Sequence, residues 1–512
     1  MSSVEGSQGK LFDRALIGVA TVVVLGAIMS ILDTTIVNVA INTLARRFHT
    51  SLSTIQWVST GYLLALATVI PLSGWAADRF GTKRLFMTSI SLFLAGSALC
   101  GAAWSVDSLI AFRVLQGIGG GMILPAGMTM LTQTAGPSRV GRVMSVIGIP
   151  AMLGPVFGPV IGGLLVDDAS WRWIFYVNVP IGIVVLLLAS RVLPTDRPAP
   201  SERLDGIGLI MLSPGLAAFV YGLAETSSSG GIGSARAFVP MLVGLALILG
   251  FVMHALRTQG ALLDVRLFKQ RAVSAASGTT MLFAMAYFGA ALLLPLYFQI
   301  ARGQSPLHAG LLTAPQGLGA ALMMPFAGRA TDRTGPGRVV LGGLLVTIIG
   351  MFSLTHVGAH TSYVLIELTL FVMGLGLGAT MMPAMAAAYQ TLTRPQIARA
   401  TSALNIIQRV GASIGIALIS VVLTHQLTEH LGRVAGHTGL AAAQSVPASA
   451  HAHATPIIAA AFGHTFWWTL ILLVCALVPA SLLSRKPPAA PEAPGAPAST
   501  PAAGEPRVLV ET

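Results

Sequence analysis

Gly74-Trp-Ala-Ala-Asp78-Arg79-Phe-Gly81-Thr-Lys83-Arg84 and Gly328-Arg-Ala-Thr-Asp332-Arg333-Thr-Gly335-Pro-Gly337-Arg338 follow one pattern, G-x-x-x-D-R-x-G and then a basic residue. Each joins two long apolar runs, and each begins roughly 55–60 residues into its own half of the chain. A duplicated charged connection between apolar runs predicts two equivalent helical halves embedded in a bilayer.

Composition agrees with that reading. Charged residues make up 9% and hydrophobic residues 54% of the 512 residues, where a soluble domain carries roughly 25% charge. Mean hydropathy is +0.78. So little charge cannot cover a soluble surface of this size, which excludes a cytosolic enzyme, a secreted disulfide scaffold and a disordered chain. Cys100 and Cys475 both lie in apolar runs and read as reduced packing residues.

Apolar runs of about 20 residues recur along the whole chain and predict helices, because only helices and closed barrels satisfy the backbone within lipid. The first run, from near Ala15 past Leu32, is too long for a signal peptide core and reads as a membrane helix. Fourteen helices are expected, at about 14–42, 54–75, 85–104, 108–133, 140–166, 172–191, 205–224, 237–257, 272–299, 307–329, 338–357, 362–391, 398–424 and 463–484. The organisation predicted is a cytoplasmic N-terminus (1–13), a six-helix half (14–191), a linker with two inserted helices (192–271), a second six-helix half (272–484) with an outer loop at 425–462, and a disordered cytoplasmic tail (485–512).

The net charge of +12 does not point to nucleic acid. The basic residues sit in short connections and form no patch with interleaved aromatics. With the N-terminus inside, about 22 of the 30 Lys and Arg fall on the cytoplasmic side and about 6 outside. This bias orients both termini toward the cytoplasm. Arg113 and Arg409 are left inside helices.

Asp33 is an ionisable group within predicted helix 1. Such a residue costs about 2.5–3.5 kcal/mol to insert and needs a partner or a function. Counted at 1.5 Å per residue, Asp33 and Arg113 could share a layer. They read either as a proton site whose carboxylate Arg113 tunes or as a static ion pair locking helix 1 to helix 4. Thr34, Thr35, Asn38 and Gln116 either line a cavity or bond between helices. Gly154, Gly158 and Gly162 form a smooth face on helix 5, and Pro155 and Pro159 favour kinks there, which suits either a gate or plain tight packing. Arg409 has no acidic partner on its own helix and is a candidate cavity residue.

Other patterns carry less. Gly411-Ala-Ser413-Ile-Gly415 fits G-x-S-x-G but lies within a helix and reads as packing. His425, His430, His437, His451 and His453 are too loosely spaced for a metal site, and none is expected. No lysine completes a P-loop, so no nucleotide cofactor is expected and an ion gradient must supply the energy.

Five stretches carry a resemblance: Leu32-Asp33-Thr34-Thr35-Ile36-Val37-Asn38-Val39-Ala40, Gly74 to Arg84, Arg113-Val-Leu-Gln116-Gly117-Ile-Gly119-Gly120, Gly148 to Gly163, and Trp171 to Pro180. In this order the chain resembles the major facilitator superfamily over roughly residues 12–485, and within it the fourteen-helix drug:proton antiporters of the EmrB/QacA type. Two departures stand out: Gly337 where the first copy has Lys83, and Ala40-Ile41-Asn42 without the usual proline. The resemblance implies proton-coupled export of amphipathic drugs by alternating access across a bacterial plasma membrane. It also implies proton coupling at Asp33 and Arg113, and a conformational gate at Asp78, Arg79, Arg84, Asp332 and Arg333. Its partners would be small-molecule substrates, protons and the lipid bilayer, with a periplasmic adaptor and outer-membrane channel only in a two-membrane envelope. A dedicated exporter of one metabolite or self-made antibiotic, and a channel or receptor, are the alternatives.

Overall fold

The computed structural model describes residues 14–136, 139–195, 203–228, 233–435 and 451–485. The N-terminal 1–13, the centre of the predicted outer loop and all of the tail but Arg485 lie outside them. Fourteen long helical segments follow one another: α1 (Arg14–Arg47), α2 (Trp57–Phe80), α3 (Thr82–Gly101), α4 (Val106–Ala135), α5 (Val140–Asp168), α6 (Trp173–Val192), α7 (Gly206–Ser228), α8 (Ala235–Arg257), α9 (Arg271–Leu296), α10 (Pro306–Thr334), α11 (Pro336–Leu354), α12 (Tyr363–Tyr389), α13 (Arg394–Ala435) and α14 (His451–Ser481). Twelve of them, among the described residues, are long and apolar enough to cross a membrane. The other two, α5 and α10, are 29 residues each and complete the series.

Local signals explain the boundaries. A capping box of Ser105 and Ser108 opens α4. Ser305 caps α10, with Pro306 at its first turn. The duplicated connections expected as loops are not loops. Helices α2 and α3 meet at Gly81, whose φ is 87°, and α10 and α11 meet at Gly335, with φ 88°. Only glycine adopts that backbone without strain, so one residue makes each turn. The predicted outer loop also needs correction. Residues 425–435 continue α13, and α14 begins at His451 rather than near 463. Helix α6 carries a break at Val177 between Trp173–Tyr176 and Asn178–Val192.

The two halves repeat in register. A side chain at Gly117, Gly119 or Gly121 on α4 would strike the backbone of Tyr62, Phe93 or Leu66. At Gly374, Gly376 and Gly378 on α12 the obstacles are Gln316, Thr347 and Ala320. Each first-half residue on α2 or α3 thus corresponds to the one 254 positions later. The inserted pair stands outside this repeat. Helices α7 and α8 pack closely through Gly222 and Gly244, and α7 lies against both α2 and α13. Helix α8 presents Phe238, Leu242, Leu245, Leu249 and Met253 outward, as a lipid-facing helix must.

Candidate functional site

Asp33 is fully buried, and its carboxylate accepts three side-chain hydrogen bonds, two from α4 and one from α6. Arg113 Nη1 on α4 donates to Oδ2 at 2.6 Å. Gln116 Nε2, one turn on, and Asn178 Nδ2 at the break in α6 each donate to Oδ1 at 2.9 Å. Asn178 also donates to Ser97 Oγ on α3, which in turn donates to the Phe175 carbonyl. The break at Val177 is thereby stitched to α3 and aims Asn178 at the carboxylate.

Arg113 has acceptors besides Asp33. Its Nε donates to the Val58 carbonyl at 3.1 Å, and Nη1 also reaches Gln116 Oε1 at 2.8 Å. The ring of Tyr62 lies 4.1 Å from the guanidinium carbon, a cation–π contact in a water-poor site. Cys100 Sγ lies 3.6 Å from Gln116 Oε1, so this cysteine belongs to the wall of the site. The second half has no such ion pair among the described residues. Leu370 stands at the repeat position of Arg113 and Met373 at that of Gln116, and the space is a small cavity walled by Phe283, Tyr287, Met351 and Met373, with Gln316 in the place of Tyr62.

The remaining candidates divide. Thr34 and Thr35 bond to carbonyls of their own helix one turn back, at Ser30, Ile31 and Leu32. Neither joins the carboxylate network, whereas Gln116 does. The side chains of Asn38, Pro155 and Pro159 lie outside the described residues. Gly154 and Gly158 sit under Ile31 and Thr35, and Gly162 faces the Ile36 backbone, so the smooth face of α5 holds the turn of α1 that carries Asp33. Gly411 and Gly415 on α13 do the same against Met281 and Met285 on α9, which gives that G-x-S-x-G stretch its packing role. Among the described residues no His, Cys, Asp and Glu cluster could hold a metal.

At the end of the bundle that bears Gly81 and Gly335, the halves are tied by two matching contacts. Asp78 on α2 pairs with Arg399 on α13 at 3.5 Å. Asp332 on α10 pairs with Arg142 on α5 at 3.2 Å and accepts from the Gly141 N–H at 3.0 Å. Ser73 and Ser402 bond across the first seam at 2.9 Å. Gly74 fits against Arg399 and Ser402, and Gly328 against Arg142 and Ser145. The cations of this clamp are Arg142 and Arg399. Arg79, Arg84 and Arg333, expected in it, are exposed. A second repeat that the sequence reading missed, Gly141-Arg142-Val-Met-Ser145 and Ala398-Arg399-Ala-Thr-Ser402, spans both partners. Lys83 donates to the carbonyls of Ser190 and Leu193, closing the C-terminus of α6. In the second half the Gly337 N–H bonds the Ser484 carbonyl directly, and a side chain there would meet the carbonyls of Leu483 and Ser484. That contact accounts for the glycine in place of lysine.

Comparison with known proteins bears on this architecture. The sequence model of the Major Facilitator Superfamily matches residues 23–416 and again 276–510. The chain is 48% identical over 417 residues to a "Multidrug resistance protein B homolog" of Mycobacterium tuberculosis, covering 81% of this chain and 77% of that one. It is 31% identical over 427 residues to the multidrug export protein EmrB of Haemophilus influenzae, covering 81% and 84%. Among solved structures, the proton:xylose symporter XylE superimposes with a TM-score of 0.58 at 15% identity, over 90% of this chain and 94% of that one.

Proposed function

The chain belongs to the Major Facilitator Superfamily, and from that premise we propose that it exports amphipathic small molecules, drugs among them, in exchange for protons. It is a multi-pass membrane transporter and not an enzyme. The observation that carries the coupling is Asp33, a carboxylate with no exposed surface inside a membrane helix. Protonation removes its charge and weakens the bonds from Arg113, Gln116 and Asn178. Arg113 is not stranded, because Val58, Gln116 and Tyr62 still face it. A buried cation that keeps its acceptors lowers the cost of releasing its anion. The proton can therefore loosen α1 from α4 and α6 without unfolding the half.

Alternating access then needs a gate that opens and shuts. The paired contacts Asp78–Arg399 and Asp332–Arg142 close one face of the bundle. The charge sorting assigns that face to the cytoplasm, with both termini on the same side of a bacterial plasma membrane. Each proton moving down 100 mV supplies about 2.3 kcal/mol, enough for tens-fold accumulation. The energy source is the proton gradient, with no cofactor. An adaptor and an outer channel enter only where the envelope has two membranes.

The test is dye efflux in a pump-deficient strain with wild type and Asp33→Asn at matched membrane levels. Wild-type efflux should collapse with a protonophore, and the variant should show little efflux at all. Undiminished proton-driven efflux by the variant would sink the assignment of Asp33.

A further inference from the structure

Arg409 is the third ionisable group inside the spans, and its surroundings are unlike those of Asp33 and Arg113. On α13 it shares a helix face with Ser402 and Asn405, at the i, i+3 and i+7 spacing of one side. That face looks at the first half: Ser402 bonds Ser73 on α2, and Asn405 Nδ2 reaches Met128 Sδ on α4 at 3.8 Å. Arg409 lies seven residues, about 10 Å, beyond the Ser73–Ser402 seal along the helix. Its electrostatic neighbour is Tyr62, the residue that covers Arg113.

A guanidinium has five N–H donors and cannot shed its charge. Arg113 meets that demand with a carboxylate, an amide oxygen, a carbonyl and a ring. Arg409 makes no ion pair or hydrogen bond among the described residues, and it is half-buried on the side of α13 that looks at the first half. A fixed positive charge at this depth is costly unless something anionic visits it. The acids within the spans do not serve: Asp33 already accepts from three donors of its own, and Glu225 and Glu367 lie near helix ends.

We propose that Arg409 is the docking group for the anionic head, carboxylate or sulfonate, of the transported amphipathic molecule. This rests on the exporter reading above and names its substrate class. A forked guanidinium suits a planar carboxylate, which it holds through two parallel bonds. The substrate's charge then completes a site that the protein leaves one anion short.

Three probes with one ring system test it: 1-pyrenebutyrate, its methyl ester and 1-pyrenebutylamine. Their binding to the purified full-length protein in lipid nanodiscs is followed by fluorescence at pH 8 and low salt. The wild type should bind the carboxylate at least about tenfold more tightly than the ester or the amine, as a charge-assisted pair requires. Arg409→Lys should keep part of that preference. Arg409→Gln should lose it while its affinity for the ester stays within about twofold, which also reports an intact cavity. Equal affinity of the wild type for carboxylate and ester overturns the proposal without any variant, as does a preference that survives in Arg409→Gln. The exporter reading is judged apart, by protonophore-sensitive efflux of a cationic or neutral dye: such efflux with no carboxylate preference leaves that reading standing and removes this one.

Discussion

The two clamps at the Gly81 and Gly335 end can be weighed against each other. In a medium of effective dielectric about 20, opposite charges at 3.2 Å attract by about 5 kcal/mol before desolvation is counted. Arg142, Arg399 and Asp78 are each near one-quarter exposed while Asp332 is 3% exposed, so water screens the Asp78–Arg399 pair more. Between the range for exposed pairs and that for buried ones, about 1–2 kcal/mol per clamp is a fair net figure. Each neutralisation should therefore move the closed-to-open ratio about tenfold, and both together about a hundredfold. Asp332→Asn should exceed Asp78→Asn, because the bond Asp332 accepts from the Gly141 N–H at 3.0 Å also loses its charge assistance. The assay is a pulsed electron-resonance distance between nitroxides at exposed Arg79 and Arg333, one in each half, in a Cys475→Ser background. Both single variants should add a longer distance, the double variant should make it dominant, and the Asp78→Arg with Arg399→Asp swap should restore the short one. Unchanged distances in the double variant, or a larger effect from Asp78→Asn, would refute this account of the gate.

Gly158→Leu should abolish transport and lower thermal stability by several kcal/mol, since the side chain would overlap Thr35 on the turn behind Asp33; melting and dye efflux report it, and an active, stable variant contradicts the packing. Tyr62→Phe should stay near wild type, while Tyr62→Leu should cost about 0.5–2 kcal/mol by stripping the ring from Arg113 at 4.1 Å, read as a lower melting temperature in detergent. Gly337→Lys, which restores the motif of the first half, should destabilise the protein, because Leu483 and Ser484, just past α14, occupy that space; equal melting temperatures would count against it. Asp205, just before α7, accepts from the Gly208 N–H, from His254 and from the Leu262 N–H. Burial alone would raise its pKa, but these bonds outweigh it and hold the carboxyl below the ordinary range. A depressed carboxylate stabilises the fold above its ordinary pKa and ceases to as pH falls through the folded value. Asp205→Asn should thus melt below the wild type at pH 7, with the gap closing below about pH 4.

The helical bundle was legible because lipid demands long apolar runs, and an acid within one of them stands out. Asp33 and Arg113 were readable on those grounds, as was the layer they share. Asn178, Ser97 and Tyr62 were not, since a neutral polar residue in an apolar helix has many unremarkable uses until its neighbours are known. Arg142 and Arg399 were hidden for a different reason: the charge rule for membrane orientation explains any arginine at a helix end, and so it absorbed two that pair across the halves. Hydropathy also measures the thickness of lipid and not the length of a helix. Residues 425–435 remain helical although they carry His425, Glu429 and Arg433.

The inserted helices change what counts as a rigid body. Ser213 Oγ on α7 donates to the Thr68 carbonyl on α2 at 2.6 Å, and Tyr221 stacks on Trp57 with ring centroids 5.7 Å apart. Both specific contacts fasten α7 to the first half, and α8 follows through the glycine-faced contact between them. Against α13 the same helix packs without a hydrogen bond or ion pair among the described residues. The partners in a rocking motion are consequently unequal, an eight-helix mass and a six-helix one. One of the two seams must slide beneath an overhanging helix, while the seam between α5 and α10 has none across it among the described residues. A pseudo-twofold transporter built this way has a front and a back.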